Sequence, residues 1–250
     1  MKKYILFSLW VLILGCQNRD NQPVKDPLFA EVESSQSGID FVNTVENNEE
    51  LNIFTYRNFY NGGGVAIGDL NNDGLSDIYF TANMGDNKLY INKGDWTFED
   101  ITESAGVAAS NKWSTGVVLV DINSDGFLDI YVCNAGYVSG QDQKNVLYLN
   151  NQDLTFTEAA AEYGLDDNGY TTHAAFLDYD KDGDLDVYLL NNSFIPTNTL
   201  NYSNKRELDA EDWPVKDFLK GGGDKFLHND NGTFVDVSEE AGIYQSLIGF

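Results

Sequence analysis

Three stretches of this chain repeat one acidic pattern of nine residues, which restricts the fold more than any other feature. They are DLNNDGLSD at 69–77, DINSDGFLD at 121–129 and DYDKDGDLD at 178–186. Each places oxygen-bearing side chains at positions 1, 3, 5 and 9 around a glycine at position 6. Hard cations that take oxygen ligands, above all calcium, bind such sets. The pattern therefore predicts three calcium loops.

The residue types suit a small metal loop. Asp and Asn are short enough to place an oxygen on an ion inside a tight turn, and glycine permits a bend that a Cβ would penalise. Position 7 would contribute only its backbone carbonyl, so its side chain varies. The predicted ligands of about three calcium ions are Asp69, Asn71, Asp73, Leu75, Asp77, Asp121, Asn123, Asp125, Phe127, Asp129, Asp178, Asp180, Asp182, Asp184 and Asp186.

Two other interpretations of these loops are simple Asp/Asn/Gly turns and EF-hands. Turns of this composition need no metal, but three copies with the same ligand spacing favour a metal. An EF-hand requires Glu at position 12 and helical flanks. Position 12 holds Phe80, Val132 and Leu189, and the flanking runs, such as VAIGDL and DIYFTAN, are typical of buried strands. An EF-hand is therefore excluded.

The repeat is larger than the loop. The first loop residues, Asp69, Asp121 and Asp178, are 52 and 57 positions apart. A second block follows each loop: LYINKGDWTFEDITESAGV, LYLNNQDLTFTEAAAEYGL and FLHNDNGTFVDVSEEAGI. Each unit thus predicts four short antiparallel strands followed by a glycine-terminated turn. Four strands in about 50 residues is the period of a β-propeller blade, so we predict an all-β fold.

These units resemble the FG-GAP/VCBS repeat. The run GGGVAIGDLNNDGLSDIYF followed by KLYINKGDWTFEDITESAGV is similar to the propeller part of bacterial proteins that often end in an ASPIC/UnbV domain. The resemblance covers roughly residues 58–250. It implies a partial, about three-blade β-propeller with calcium loops, as a fragment of a seven- or eight-bladed propeller. The scaffold serves many roles, so the resemblance does not name a ligand.

The predicted domain organisation follows from these units. It comprises a signal peptide at 1–15, a lipidated N-terminus and flexible tether at 16–34, N-terminal strands at 35–60, blades at 61–110, 111–168 and 169–245, an insertion at 193–224 within the third blade, and the start of a truncated fourth blade at 246–250. The insertion is either a packed rim loop or a binding element.

The N-terminus predicts export. Lys2 and Lys3 precede the apolar run YILFSLWVLILG, which ends at Cys16 and is too short to span a membrane as a helix. The sequence ILGC resembles the lipobox of bacterial lipoproteins and implies lipidation of Cys16. Gln17 then implies an outer-membrane or cell-surface lipoprotein. An ordinary signal peptide or an N-terminal anchor remains the alternative.

Charge and residue content exclude several function classes. The formal net charge of −25 at pH 7 argues against a nucleic-acid partner. Cys133 is the only cysteine besides Cys16 and is predicted to be a buried core thiol. The two histidines, His173 and His228, are interpreted as structural, with His228 at a strand end. The sequence contains no G-x-S-x-G, HExxH or phosphate-loop motif.

The sequence therefore predicts a non-enzymatic, calcium-binding propeller lipoprotein that binds or assembles with a protein or glycan ligand. The alternative is a carbohydrate-binding accessory, or a catalytic component, of a polysaccharide-degrading system. Glycan binding predicts exposed aromatic side chains at the rim, for which Trp96, Trp213 and Tyr202 are candidates. Catalysis predicts unassigned carboxylates or a histidine in the central channel.

Overall fold

Short strands fold into three antiparallel sheets of four strands each in the part of the chain that the structure describes. The structure is a computed structural model that describes residues 28–135, 142–192 and 223–243. The first sheet contains β1 Val65–Gly68, β2 Asp77–Phe80, β3 Lys88–Asn92 and β4 Phe98–Asp100. The second contains β5 Trp113–Val120, β6 Asp129–Ala135, β7 Val146–Asn150 and β8 Phe156–Glu158. The third contains β9 Thr171–Leu177, β10 Asp186–Asn191, β11 Lys225–Asp230 and β12 Thr233–Asp236.

Each sheet is a meander in which strands adjacent in sequence are also hydrogen-bonded neighbours. The predicted all-β, partial propeller-like fold is confirmed. The three sheets lie within the predicted units 61–110, 111–168 and 169–245. In each unit the candidate metal loop connects the first strand to the second. The loop's ninth residue begins the second strand and pairs with the residue before the loop, as Asp129 does with Val120.

Two apolar cores hold the sheets together, one between the first and second sheets and one between the second and third. β6 belongs to both, since all seven of its residues are buried. Ile130 and Val132 pack in the first core, whereas Tyr131 and Cys133 pack in the second. Side chains alternate across a strand, so the centre of this strand, residues 130–133, has apolar side chains on both faces. Cys133 is a buried free thiol, as predicted.

A one-turn helix follows the last strand of the first two sheets. These helices are α2 Thr102–Ala105 and α3 Ala160–Tyr163, and each ends at a glycine with a φ of 76°. The left-handed conformation favours glycine because a Cβ would be strained there. The hydroxyl of Tyr79 in β2 donates to the carbonyl of Val107 at 2.6 Å and holds the turn after α2 against β2.

The prediction of strands at 35–60 is wrong. This segment begins with a one-turn helix, α1 Ser34–Ser37, and contains no strand. A Cβ added at Gly38, the residue after α1, would lie 2.5 Å from the carbonyl oxygen of Phe98 in β4. A Cβ added at Gly164, the residue after α3, would likewise lie 2.6 Å from the carbonyl oxygen of Phe234 in β12. The segment around α1 thus contacts the first sheet as α3 contacts the third.

Side chains, rather than a backbone ladder, attach the rest of this segment. The amide of Asn43 donates to Asn83 Oδ1 at 2.8 Å and accepts from the Asn83 backbone N–H at 3.0 Å. The Phe41 ring stacks on Phe80 with 4.9 Å between ring centroids. The predicted strands at 35–60 are thus residues that dock individually, because a strand-like sequence does not show whether its backbone pairs with a neighbouring strand.

Several predicted features lie outside the described residues. They are the signal peptide at 1–15, Cys16, the tether as far as residue 27, residues 193–222 of the insertion, and residues 244–250. Among the residues that are described, no helix is long and apolar enough to span a membrane.

Candidate metal centre

The three loops share one backbone conformation. Position 4 has a positive φ in each, with values of 59°, 58° and 68° for Asn72, Ser124 and Lys181. The glycine at position 6 is also left-handed, at 87°, 88° and 101° for Gly74, Gly126 and Gly183. L-residues rarely take this conformation, and each glycine is surrounded by open space. Glycine is therefore required by the backbone turn and not by close packing.

In loop one the predicted ligand side chains fold back onto the loop's own backbone. Asp69 accepts the N–H of Asp73 at 3.1 Å and that of Gly74 at 2.8 Å, one on each carboxylate oxygen. Asn71 Oδ1 also accepts the Asp73 N–H, at 3.0 Å, and Asp73 Oδ1 accepts the Leu75 N–H at 2.8 Å. These bonds hold the oxygens of positions 1, 3 and 5 around one small turn.

Loop two repeats this network. Asp121 accepts the backbone N–H of Asp125 at 3.0 Å and that of Gly126 at 2.9 Å. Asn123 Oδ1 shares the Asp125 N–H at 3.0 Å, and Asp125 Oδ1 accepts the Phe127 N–H at 2.9 Å. Loops one and two therefore offer the same donor set in the same local geometry.

The ninth residue of each loop is a buried carboxylate. Asp129 has no exposed surface and accepts the N–H of Ile122 at 3.1 Å and of Asn150 at 2.8 Å. Burial raises the pKa of Asp129 to about 6, and the carboxylates of Asp125 and Asp121 add to this. Burial likewise raises the pKa of Asp77. Such a group is stabilised by a proton or by a cation.

Loop three differs in its first residue. Asp178 Oδ1 accepts the N–H of Lys181 at 2.7 Å, where its counterparts accept from positions 5 and 6. Asp178, Asp180 and Asp186 each place one carboxylate oxygen within 4.8 Å of the other two. Burial of Asp184 and the neighbouring Asp182 carboxylate raise the pKa of Asp184. The three converging carboxylates of Asp178, Asp180 and Asp186 fit a bound cation.

His228 is a neighbour of loop three that the sequence did not assign to the site. Its Nδ1 lies 2.9 Å from Asp186 Oδ1 and 4.0 Å from Asp180 Oδ2. The hydrogen bond with Asp186 raises the pKa of His228. The residue lies within β11 rather than at a strand end, which corrects the prediction. Aligning the LYIN, LYLN and FLHN blocks provides the missing signal, because the first two units have Ile91 and Leu149 at this position.

Charge in the loops is not balanced by cationic side chains. Loops one and two each contain three carboxylates and loop three contains five. Within residues 28–135, 142–192 and 223–243, no Lys or Arg forms an ion pair with any of them, and His228 is their one basic partner. The donor set of hard oxygens in a tight loop therefore fits calcium.

Hydrogen bonds connect loops one and two. The side-chain amide of Asn72 donates to the carbonyl of Gly126 at 3.0 Å. The buried amide of Asn150 donates to the carbonyl of Leu70 at 2.8 Å, across 80 positions of sequence. The two candidate sites are therefore part of one hydrogen-bonded region at the end of the first strands.

The comparisons with known proteins agree with this repeat structure. The family model described as FG-GAP-like repeat matches residues 69–132 and 137–189. Cartilage acidic protein 1 of Xenopus tropicalis is 35% identical over 136 residues, which are 54% of this chain and 20% of that protein. The Homo sapiens protein of the same name is 42% identical over 76 residues, covering 30% of this chain and 12% of the relative.

The aligned regions thus span a fifth or less of these relatives' own lengths. The Mus musculus protein agrees, with 40% identity over 73 residues, 29% of this chain and 11% of that protein. The matched stretches 69–132 and 137–189 contain all three acidic loops. This chain therefore contains FG-GAP-like repeats and is similar to cartilage acidic protein 1.

Proposed function

We propose that this protein is a calcium-stabilised FG-GAP repeat protein that binds or assembles with a partner outside the cytoplasm and has no catalytic activity. The observation that carries the metal assignment is the unbalanced acidity of the loops. Carboxylates packed as closely as those of Asp178, Asp180 and Asp186 repel one another and favour a bound cation. FG-GAP-like repeats suggest an extracellular binding or adhesion role, which supports the proposed binding of a partner.

In each loop the side chains at positions 1, 3, 5 and 9 would hold the ion, and bound calcium would supply the positive charge that these carboxylates lack. Asp73 and Asp125 at position 5 already orient their oxygens through backbone N–H groups. The position 9 carboxylates, Asp77 and Asp129, begin the second strand of their sheets. An ion at these residues would therefore link each loop to the sheet core.

Calorimetric titration and thermal unfolding of the calcium-free chain test the metal assignment. We expect calcium dissociation constants on the order of 10⁻⁴–10⁻³ M, as in extracellular modules. At about a hundred times the dissociation constant, each independent site adds roughly 2.7 kcal/mol to the free energy of unfolding. Magnesium is the control ion, since it demands a smaller and more regular site.

A matched pair of variants in loop one tests the ligand assignment. Asp73→Ala removes a side-chain oxygen at position 5, whereas Leu75→Ala keeps the backbone carbonyl at position 7. Leu75 is 38% exposed, so its truncation leaves the core intact. We expect one calcium site to be lost in the first variant and kept in the second. Equal loss in both, or a melting temperature that calcium does not change, would contradict the proposal.

We further propose that Cys16 carries a lipid anchor, which places the protein on the outer membrane or cell surface. Two acyl chains at about 0.8 kcal/mol per buried CH₂ hold a protein on a membrane. Cys16→Ser should abolish lipid labelling and release the protein into the soluble fraction. Membrane association that persists after signal cleavage would refute the anchor. The resemblance of the repeats to bacterial propeller proteins further suggests an ASPIC/UnbV domain in the same gene, which sequencing of the gene tests.

The second candidate function is glycan binding in a polysaccharide-degrading system. Trp96 favours it, because this side chain is 69% exposed in the turn between β3 and β4. Trp213 and Tyr202 lie outside the described residues. Trp96→Ala should weaken pull-down by insoluble polysaccharide while leaving the melting temperature unchanged. Unchanged pull-down would remove this residue from the candidate surface.

A further inference from the structure

A cavity of about 250 Å³ opens where the first strands of the sheets begin. Trp113, at the start of β5, lines it, whereas loop two follows the other end of that strand at Val120. The eight residues of β5 span roughly 25 Å at about 3.3 Å per residue. The cavity is therefore separate from the candidate metal loops.

The floor of this cavity consists of backbone, because adjacent first strands approach too closely to allow side chains. A Cβ at Gly64 would lie 2.7 Å from the carbonyl oxygen of Thr115. A Cβ at Gly116 would lie 2.5 Å from the carbonyl oxygen of Thr172. Both positions must remain glycine unless the strands move apart, so the cavity is a fixed consequence of strand packing.

The third unit breaks this glycine pattern with a polar side chain. His173 stands five positions before its loop, where the other units have Gly64 and Gly116. Its side chain lines the cavity, and its Nδ1 lies 3.0 Å from the position that a Gly116 Cβ would occupy. His173 is exposed. The imidazole therefore adds a polar side chain at a position where the other two units have none.

One wall of the cavity, formed by the N-terminal segment and the start of β5, combines an unpaired polar donor with aromatic rings. The buried Asn58 Nδ2 donates no hydrogen bond to any described residue. Tyr56 and Trp113 line the same cavity, with their ring centroids 5.5 Å apart in an edge-on arrangement. A buried amide without an acceptor is costly, so a ligand oxygen at this point would be favoured.

We propose that this cavity binds one neutral sugar residue of a glycan. Apolar walls with a few polar groups are typical of small-molecule sites, and this volume is just below the ~300–1,000 Å³ of sites for drug-sized ligands. No acidic side chain is among the described residues that line it. The net charge of −25 opposes an anionic ligand. This inference gives the proposed binding role a location and is independent of calcium.

The test uses the full chain in calcium buffer with methyl glucoside, methyl galactoside, methyl mannoside, N-acetylglucosamine and glucuronate as probes. Saturation-transfer NMR and tryptophan fluorescence report binding. We expect at least one neutral sugar to bind with a dissociation constant on the order of 1 mM. Asn58→Leu should weaken that binding about tenfold or more, because it removes the unpaired donor at similar volume. His173→Gly, which restores the residue of the other units, should also weaken binding.

Matched controls separate this cavity from other surfaces. Val235→Ala alters an exposed apolar side chain in β12, which is 49% exposed and does not line the cavity, and should leave sugar binding unchanged. The proposal is overturned if no neutral sugar binds, if glucuronate binds in preference, or if Val235→Ala reduces binding while both cavity variants retain it. Melting temperatures confirm folding, and a failed sugar assay with normal calcium titration rejects the cavity alone.

Discussion

Asn150 offers a sharp test of how the sheets are held together. Its side-chain amide donates to the carbonyls of Leu70 at 2.8 Å and Leu128 at 3.1 Å. Its Oδ1 accepts the backbone N–H of Gln152 at 2.9 Å. The residue is 5% exposed, so water cannot readily replace these partners. Asn150→Ala should therefore leave two carbonyls and one N–H unsatisfied at the boundary between the first and second sheets.

The expected cost follows from those three bonds. At about 1 kcal/mol for each lost bond, Asn150→Ala should lower the free energy of unfolding by about 3 kcal/mol. For a domain of this size that corresponds to roughly 6–12 °C in melting temperature. Asn92 is the matched control, because it bonds within its own unit to Ser76 at 2.9 Å and Gly94 at 2.9 Å. Asn92→Ala should cost about 1 kcal/mol, since this half-buried site admits water.

Urea denaturation with excess calcium measures both variants. We expect Asn150→Ala to be more destabilised than Asn92→Ala by about 2 kcal/mol, because Asn150 loses one more bond, to the preceding unit, and its buried partners are shielded from water. Equal losses would show that the bond to Leu70 contributes nothing to the stability of the protein.

Three further perturbations test the buried polar groups and the close strand approach. Burial raises the pKa of Asp129 to about 6, against about 3.9 in an unfolded chain. The folded state therefore binds this proton more tightly than the unfolded state does. The resulting stabilisation is fully present below about pH 4 and is lost as pH rises through about 6. In calcium-free buffer, Asp129→Asn should reduce the decline in the free energy of unfolding over that pH range. Urea denaturation at each pH measures this, and an unchanged pH dependence would refute the assignment. Tyr79→Phe should cost about 1–3 kcal/mol, because the hydroxyl bonds to Val107 and Asn87, whereas Tyr60→Phe, at a 64% exposed site, should be neutral by thermal melting. Gly116→Ala should cost more than Gly74→Ala in chemical denaturation, because only the first meets a carbonyl at 2.5 Å; the reverse order would contradict the strand-contact argument.

Local sequence patterns determined the repeated parts of this protein. The acidic loops, the strands beside them and the glycine-terminated turns recur at near-constant spacing, so each copy supports the interpretation of the others. Gly106 and Gly164 end their helices as the pattern predicts, both at a φ of 76°. Such features depend on contacts within a few residues, and that is why their type and order could be predicted from the chain alone.

Tertiary structure decided which side chains meet across units. His228 reaches Asp186 from 42 positions away, and Asn150 reaches Leu70 from 80. The sequence at 35–60 predicts strands, yet this segment docks through individual side chains. No local pattern encodes these partners, because they depend on how the sheets pack and on which backbone atoms that packing leaves unpaired. The cavity at Asn58 and His173 exists for the same reason: it forms only where the first strands of neighbouring sheets meet.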